Sequence, residues 1–331
     1  MMKKYILPAL TAIAAILFGA CSNDDITINR KFTISVDASG VVAPFKNLET
    51  GANTNNLNTL NEGFRLRVRV IVYDSEGKAI VTHQQYRNSY LDAGTPFSMG
   101  LENGSYTFVA ITDVVAPSTT NIGSNIWKLE DEDDINKAVL KYNATATQRY
   151  GILGIQNQQV NITVDTQSVI LQPKPVGALL RVVFRGLKKA QSAGYSSFGL
   201  YTNSLPNMVD VDYKDAANSA HSTTTAGSLG GLNYLRNTST SYDTEADYLF
   251  FLPCDIRMRF GNRKSATQTS ATPIGETFSE RLEAGIGYDI TLDLNASDLE
   301  SNSFVATFTQ PSAGGAGLSA PVHSLRLADV Q

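Results

Sequence analysis

Residues 64–74, "FRLRVRVIVYD", constrain the fold more than any other part of the chain, because apolar side chains recur there at every second position. A period of two predicts a β-strand with one face toward a core. Arg65, Arg67 and Arg69 fall on the opposite face, which we interpret as a solvated outer face, with an anion site as the alternative. The following "DSEG" predicts a turn, and "KAIVTH" predicts the returning strand of a hairpin.

Strand patterns recur along the rest of the first half of the chain. In residues 101–113, "LENGSYTFVAITD", Asn103-Gly104 predicts a turn, and the residues after it alternate in the manner of a strand. "FTISV", "QVNITVD" and "SVILQP" predict further strands. Residues 38–63 are rich in Gly, Asn and Thr and predict a long loop. In contrast, "DDINKAVLKY" at 133–142 predicts a helix with acids at its start.

Pro173 and Pro175 mark a boundary, after which "VGALLRVVFRGL" opens a second series of strands. Short strands separated by polar turns, with little helix, predict β-sandwiches. The stretch 214–246 is rich in Ser and Thr and predicts a long loop. Beyond it, residues 303–310 and 322–330 carry strand signals that fit either a donor segment or edge strands of the second domain.

The N-terminus predicts export and lipid attachment. Residues 5–18, "YILPALTAIAAILF", form an apolar run that is short for a bilayer span, which takes roughly 20 residues. The run ends in Gly19-Ala20 before Cys21, which resembles the lipobox of bacterial lipoproteins, although Phe18 stands where Leu, Val or Ile is usual. The resemblance implies cleavage before Cys21 and attachment of diacylglyceryl and amide-linked acyl chains such as palmitate. An ordinary secretory peptide with a chance cysteine is the alternative.

The residues around the two cysteines refine this prediction. Asp24 and Asp25 follow Cys21 closely, which resembles the acidic export signal of Bacteroidetes lipoproteins destined for the outer face of the outer membrane. A solvated tether that carries two charges is the alternative. If Cys21 carries lipid, Cys254 has no partner for an intramolecular disulfide. Cys254 lies in the apolar run "YLFFLPCDI", so we expect a buried small hydrophobe.

Charge and motif content argue against nucleic-acid binding and against catalysis. The chain has a formal net charge of −4, and the sequence shows no basic patch or basic helix, so nucleic acid is not an expected partner. His83, His221 and His323 lack metal-ligand spacing, and no P-loop, G-x-S-x-G or H-E-x-x-H occurs. We therefore expect a protein that is not an enzyme, with no catalytic residues, metal site or cofactor.

Two other clusters have a functional interpretation beside a structural one. The run "EDEDD" at 130–134 offers carboxylates for Ca²⁺, but acids that cap the predicted helix explain it better. Trp127 with Tyr86 and Tyr90 would suit carbohydrate stacking, whereas a single Trp more often belongs to a core.

The order of the motifs resembles the fimbrillin and fimbrillin-associated anchor proteins of Bacteroidetes, the subunits of lipoprotein-derived pili. The resemblance rests on "RLRVRVIVYDSEGKAI" and "LENGSYTFVAITD" in the first half, and on "KPVGALLRVVFRGL", "FGLYTNSLPNMVDV" and "SERLEAGIGYDITLDL" in the second. It implies an all-β protein with two tandem transthyretin-like, Greek-key β-sandwich domains after a lipoprotein signal peptide. The implied division is a signal peptide (1–20), a lipidated tether (21–31), an N-terminal sandwich (32–172), a C-terminal sandwich (173–295) and an extension (296–331).

The same resemblance implies a fimbrial subunit or membrane anchor at the cell surface, held in the outer membrane by lipid and assembling with other fimbrial subunits by β-strand addition. In polymerising members a protease cuts after Arg or Lys near the first strand, and a neighbour's strand fills the groove. Here the candidates are Arg30 and Lys31, before "FTISV", and Lys46 after it. Exposed basic residues in a linker are the alternative. A non-polymerising surface lipoprotein that binds a glycan, host ligand or bacterial surface ligand remains the alternative function.

Overall fold

The structure is a computed structural model. It describes residues 30–48, 57, 60, 63–116, 124–143, 151–163, 168–203, 205–214, 220–221, 231–268, 270–298, 303–309 and 323–327. The predicted signal peptide, Cys21, Asp24 and Asp25 lie outside the described residues.

Strands dominate both halves of the chain. The strands of the first half are β1 (Arg30–Val36), β2 (Arg65–Tyr73), β3 (Ala79–Arg87), β4 (Phe97–Leu101), β5 (Gly104–Ala116), β6 (Ser124–Asn125), β7 (Trp127–Glu130), β8 (Val139–Tyr142), β9 (Leu153–Ile162), β10 (Ser168–Leu171) and β11 (Lys174–Pro175). Those of the second half are β12 (Ala178–Arg185), β13 (Ser197–Thr202), β14 (Met208–Asp210), β15 (Ala220–His221), β16 (Gly231–Asn237), β17 (Thr244–Phe251), β18 (Cys254–Arg263), β19 (Thr272–Leu282), β20 (Gly287–Asp298), β21 (Ser303–Thr309) and β22 (His323–Leu327). The helices are α1 (Ser39–Val42), a 3₁₀ helix (Ala43–Leu48) and α2 (Leu187–Ser192). The prediction of an all-β protein is confirmed.

The central sheet of the first half has the strand order β11-β9-β5-β2-β3, with β6 paired to β5. The predicted hairpin is confirmed, because β2 and β3 pair antiparallel around the "DSEG" turn. The Asp74 carboxylate accepts hydrogen bonds from the backbone amides of Glu76 and Lys78 at 2.9 Å each. Gly77 has a φ of +80° there, a conformation that L side chains rarely adopt.

Two further sheets cover the faces of the central sheet. The front sheet has the order β10-β1-β4, and the ring of Phe32 packs on that of Phe108 at a centroid distance of 5.6 Å. The cover sheet has the order β15-β14-β8-β7, and it lies on the opposite face, where Asn157 Nδ2 donates to the Val211 carbonyl at 2.9 Å. Because β14 and β15 come from the second half of the chain, residues distant in sequence complete the first hydrophobic core.

The second half contains two sheets around a core of its own. The inner C-terminal sheet has the order β17-β12-β20-β21-β22, and the outer C-terminal sheet has the order β16-β13-β18-β19. Their facing side chains form a second cluster that includes Phe184, Phe198 and Phe260, each fully buried. The other face of the inner sheet, with Tyr248 and Phe250, belongs to the first cluster.

The two halves share one strand topology. The strand order β9-β5-β2-β3 of the central sheet matches the order β19-β18-β13-β16 of the outer C-terminal sheet. In the second layer, β1 is parallel to β10 and antiparallel to β4, just as β12 is parallel to β20 and antiparallel to β17. This repetition is what a tandem pair of sandwiches requires.

Three local predictions are wrong. The predicted helix at 133–142 is a turn followed by β8, because Leu129 and Leu140 pair across an antiparallel ladder between β7 and β8. The predicted loop at 38–63 begins with α1 and the 3₁₀ helix, where Val41, Val42, Phe45 and Leu48 are fully buried. The predicted loop at 214–246 contains β15, β16 and the start of β17, because β16 pairs antiparallel with β13. In all three cases tertiary packing overrides local propensity, which is a weak guide for short segments.

Candidate functional site

The first strand, β1, occupies the middle of the front sheet. Thr33 to Val36 pair in parallel with Ser168 to Leu171 of β10, and Arg30 to Ile34 pair antiparallel with Leu101 to Phe97 of β4. The backbone N–H and C=O groups of β1 therefore pair with a neighbouring strand on each edge, β10 on one side and β4 on the other. Removal of this strand would leave unpaired donors and acceptors on β10 and β4, each of which is costly unless water or another strand satisfies it.

The side chains of β1 alternate between core and surface. Phe32, Ile34 and Val36 are buried, whereas Lys31 is exposed and Thr33 is partly exposed. The Val36 carbonyl also accepts a hydrogen bond of 2.8 Å from Arg87 Nη1 of the central sheet. Departure of β1 would consequently open an apolar groove, which is the geometry that strand addition uses.

The segment after β1 is held by both halves of the protein. Its last residue, Leu48, is fully buried, and its carbonyl accepts hydrogen bonds from Tyr248 Oη at 3.1 Å and from Arg181 Nη1 at 2.5 Å. Arg181 is fixed in turn by Asp289, whose Oδ2 lies 2.7 Å from Arg181 Nη2. We call Arg181, Tyr248 and the Leu48 carbonyl the latch.

The three candidate cleavage residues lie in different surroundings. Arg30 and Lys31 are the first residues of β1, opposite Leu101 and Gly100 of β4. Lys46 has an exposed side chain, but it belongs to the 3₁₀ helix that ends in the latch. A cut after Arg30 or Lys31 would leave the rest of β1 in place, whereas only a cut after Lys46 would free the whole strand.

The arginine face of β2 is buried, so its interpretation as a solvated outer face is wrong. Only Arg65 is exposed, while Arg67 and Arg69 are each 6% exposed beneath the cover sheet. Arg67 donates to both Asp113 oxygens, Nε to Oδ1 at 2.9 Å and Nη2 to Oδ2 at 2.5 Å, and to the Trp127 carbonyl at 3.0 Å. Arg69 Nη2 lies 3.7 Å from Asp113 Oδ1. The arginines thus meet a carboxylate of the protein instead of an external anion.

The pKa values of the two buried guanidinium groups shift in opposite directions. For Arg67, burial lowers the pKa, but the charge and hydrogen bonds of Asp113 outweigh burial and leave the pKa raised. For Arg69, burial again lowers the pKa, and the attraction of Asp113 does not offset burial and the repulsion from Arg67. The sequence patterns did not single out Asp113 as a partner of the arginines. One signal was available, because Asp113 is an acidic residue that directly follows the apolar strand pattern of residues 106–112.

The aromatic residues proposed for carbohydrate stacking do not form an exposed surface. Trp127 and Tyr90 are 3% and 1% exposed. The Trp127 indole donates from Nε1 to the Gly151 carbonyl at 2.7 Å and meets the Tyr142 ring edge-on at a centroid distance of 5.3 Å. Tyr86 is partly exposed on β3. The alternative, that Trp127 belongs to the core, is confirmed.

The other titratable residues that the sequence singled out, Asp134, His83 and Cys254, make contacts within the protein or are buried in it. In the acidic run, Asp134 accepts a hydrogen bond from Lys78 Nζ at 2.8 Å, which together with the Asn136 amide lowers the pKa of Asp134 to about 2. His83 stacks on Phe97 at a centroid distance of 5.8 Å. Cys254 is free and buried, as expected, and burial raises the pKa of its thiol to about 12. Among the residues that the structure describes, no three His, Cys, Asp or Glu side chains are placed to share a metal ion.

No helix in the described part of the chain is long and apolar enough to cross a membrane.

Comparison with known proteins gives one family match and several solved structures of low sequence identity. No curated protein matches the chain. The solved fimbrial anchor protein Mfa2 of Porphyromonas gingivalis is 10% identical with a TM-score of 0.42, covering 89% of this chain and 100% of its own. A protein of Bacteroides thetaiotaomicron proposed to bind polysaccharides is 11% identical with a TM-score of 0.47, covering 85% and 98%. A fimbrial assembly protein of Parabacteroides distasonis is 10% identical with a TM-score of 0.40, covering 85% and 95%.

The family match falls on the part of the chain that begins with the arginine strand. Residues 66–193 match the family described as fimbrillin-A associated anchor proteins Mfa1 and Mfa2. This range runs from β2 to α2 and includes nearly all of the central sheet. The resemblance seen in the sequence is thus confirmed for residues 66–193, the part of the chain that matches this family.

Proposed function

We propose that this protein is a cell-surface lipoprotein that acts as a fimbrial anchor and keeps its first strand. The observation that carries the proposal is the position of residues 30–48, which fill the middle of the front sheet and end in the latch. A subunit that must lose its first strand would need that segment to come away. Here the segment contributes Phe32, Ile34, Val41 and Phe45 to the first core.

The latch opposes the cut that would free β1. Proteases act on chain segments that can unfold locally, and local unfolding is hardest where the backbone is helical and its side chains are buried. Lys46 lies two residues before the latched carbonyl of Leu48. A cut after Arg30 or Lys31 would separate the tether from the rest of the protein and leave the groove filled by β1.

The lipid attachment of this proposal rests on Cys21 and on the short tether that follows. Arg30 follows Cys21 by nine positions, a span of at most roughly 30 Å when extended. β1 would therefore stay close to the outer membrane, with Asp24 and Asp25 as the export signal. Two sandwich domains that meet near Pro173 and Pro175 would extend away from it, consistent with the change from the central sheet at β11 to the inner C-terminal sheet at β12.

An anchor that keeps β1 needs another strand edge for its fimbrial partner. In the second half, the edge of β20 opposite β12 is occupied by β21. The equivalent edge of β10 carries no strand among the described residues, and it presents Ile170 at 62% exposure. We assign this edge to strand addition by another fimbrial subunit, because unpaired edge groups and an exposed apolar side chain favour such pairing.

The first test is intact-mass and N-terminal analysis of the protein from native cells, with sheared filaments compared with outer membrane. We expect the acylated form that begins at Cys21, in the membrane at filament bases. A filament form that begins at Asn47 would overturn the anchor proposal in favour of a polymerising subunit. Acylated protein in cells without filaments would favour a surface lipoprotein that binds a glycan or host ligand.

Matched variants separate the two parts of the proposal. Cys21→Ala should abolish membrane attachment, because it removes the proposed site of acylation. Cys254→Ala is the matched control, since it also leaves one cysteine in the chain, and it should not affect attachment. Ile170→Lys should reduce filament attachment, because a charge on an edge strand opposes pairing. Ile80→Lys is its control, since Ile80 is 45% exposed on the edge strand β3. Equal filament attachment in the two lysine variants would refute the role of the β10 edge.

A further inference from the structure

The outer face of the outer C-terminal sheet carries a row of arginines. On β18 the buried residues Ile256, Met258 and Phe260 point into the second core, so the alternate residues lie on the opposite face. These are Arg257, Arg259, Gly261 and Arg263. Arg257 is exposed, and the other two arginines are partly exposed. The chain is acidic overall, yet it concentrates cations on this strand.

β19, which pairs with β18, carries Glu276 and Glu280, yet two of the three arginines in this row lack an ion-pair partner among the described residues. Arg257 and Arg259 form no ion pair with any residue that the structure describes. On the neighbouring strand β19, Arg281 lies opposite Asp255. Arg281 Nη1 is 3.1 Å from Asp255 Oδ1, so the one acidic residue of β18 is already in an exposed ion pair. The hairpin that follows, "KSATQTSA" at 264–271, contributes a further cation and hydroxyl groups but no acid. The sequence alone predicted no basic patch, because the arginines alternate with apolar residues and are not contiguous.

Strand geometry places Arg257, Arg259 and Arg263 in a line, which we call the arginine track. Residues on one face of a strand recur every ~6.6 Å, so Arg257 and Arg263 are separated by roughly 20 Å. β18 pairs with β13 without a register shift from Met258 to Arg263, whereas its pairing with β19 shifts register between Met258 and Phe260. A compact anion would meet one or two of these guanidinium groups, whereas an extended polymer of regularly spaced anions would meet all of them.

An aromatic ring lies within the same track. Tyr201 of β13 is the cross-strand neighbour of Arg259, and its ring covers Gly261 so closely that a Cβ there would lie 2.7 Å from Tyr201 Cε2. The Tyr201 hydroxyl accepts a hydrogen bond of 3.1 Å from the Ala271 amide, which helps to fix the position of the ring. Arg259 and Tyr201 together offer a guanidinium fork for carboxylate or sulfate and an adjacent apolar ring face.

We propose that this arginine face binds a linear acidic polysaccharide, with carboxylate or sulfate groups seated on Arg257, Arg259 and Arg263 and a sugar ring against Tyr201. The choice of a polysaccharide over nucleic acid rests on the proposed location at the cell surface. The chemistry itself does not depend on that location. Binding by the purified chain therefore tests this proposal, whereas cell fractionation tests the proposed function.

The experiment measures the affinity of the full-length mature chain for immobilised polymers. Heparin and polygalacturonate serve as sulfated and carboxylated probes, dextran as the neutral polymer and single-stranded DNA as another linear polyanion. We expect binding to the acidic polysaccharides that weakens as salt is raised, because exposed charges are screened. Arg257→Gln combined with Arg259→Gln should lower this affinity about tenfold, since each exposed ion pair contributes a several-fold effect.

A second double variant controls for net charge. Lys137→Gln with Lys188→Gln removes the same two charges from exposed positions elsewhere on the protein and should leave the affinity within about twofold of the original, because neither lysine lies on this face. Unchanged affinity in the arginine variant, or equal losses in both variants, would overturn the proposal. Absence of binding to both acidic polysaccharides would do so as well, as would DNA binding of equal strength and equal dependence on the arginines.

Discussion

Replacement of Asp113 by asparagine tests whether the buried charges of the first core are a matched set. Asp113 is fully buried and faces Arg67 and Arg69, whose side chains are each 8% exposed. The variant keeps the shape of the side chain and removes its negative charge. Two guanidinium groups would then lie beneath the cover sheet without the buried carboxylate that they share.

The expected cost follows from the burial of these groups. Removal of one partner from a buried ion pair destabilises proteins by about 3–5 kcal/mol, because the remaining charge is left uncompensated. A solvated pair would contribute about 0.2–1 kcal/mol. A single domain is stable by roughly 5–15 kcal/mol, so Asp113→Asn should remove a large part of the stability of the first core.

The assay is urea unfolding followed by tryptophan fluorescence. The chain has one tryptophan, Trp127, and its carbonyl accepts a hydrogen bond from Arg67, so the signal reports on this core. The matched control is Asp255→Asn, which breaks an exposed pair with Arg281 and should cost less than about 1 kcal/mol. Combination of Asp113→Asn with Arg67→Met and Arg69→Met should restore part of the loss, since an apolar set needs no counter-charge.

The result that would refute this reasoning is a free energy of unfolding for Asp113→Asn within about 1 kcal/mol of the unmodified protein, with an unchanged dependence on urea. The guanidinium groups would then have found water or another partner, and the cluster would not be the buried charge set that the contacts describe.

Three further predictions concern other parts of the chain. Cys254 should resist alkylation at pH 8 in the folded protein and react after unfolding, because burial raises its pKa to about 12 and the thiolate is the reactive form; rapid labelling of folded protein would contradict this. Tyr248→Phe should increase the rate of trypsin cleavage after Lys46 about fivefold, since loss of one hydrogen bond to the Leu48 carbonyl costs about 1 kcal/mol. If the fragment that begins at Asn47 appeared at an unchanged rate, the latch would be excluded. The lowered pKa of Asp134 stabilises the fold above about pH 4, and this contribution should be lost as pH falls toward 2. Lys78→Met should make the melting temperature less dependent on pH over this range. Identical pH profiles of the melting temperature for both proteins would disprove the contribution.

The comparison of sequence and structure shows why some faces could be predicted and others could not. Alternation in residues 64–74 gave the strand, its hairpin partner and the core face that holds Val68 and Val70. The same alternation predicted that Arg67 and Arg69 meet solvent. That inference assumes a sheet with one covered face, whereas the central sheet is covered on both.

The acidic run illustrates the limit of local propensity. Acids followed by "INKAVLKY" resemble a helix start, because the pattern carries helix-forming residues and a favourable charge order. In the structure Val139 to Tyr142 form β8 instead, between β7 and β14. The partner β14 lies some 70 residues further along the chain, so nothing near residue 139 could have indicated it.

The sequence by itself determined the all-β class, the position of most strands and the family resemblance, because these depend on periodicity and on short motifs that are local in the chain. Only the tertiary structure decided that β1 is a central strand, that Leu48 is held by Arg181 and Tyr248, and that Asp113 neutralises the arginines of β2. Each of these depends on pairing or contact between residues far apart in sequence. Such contacts are selected by the burial of whole faces, and a pattern of neighbouring residues does not record which other segment will cover a face.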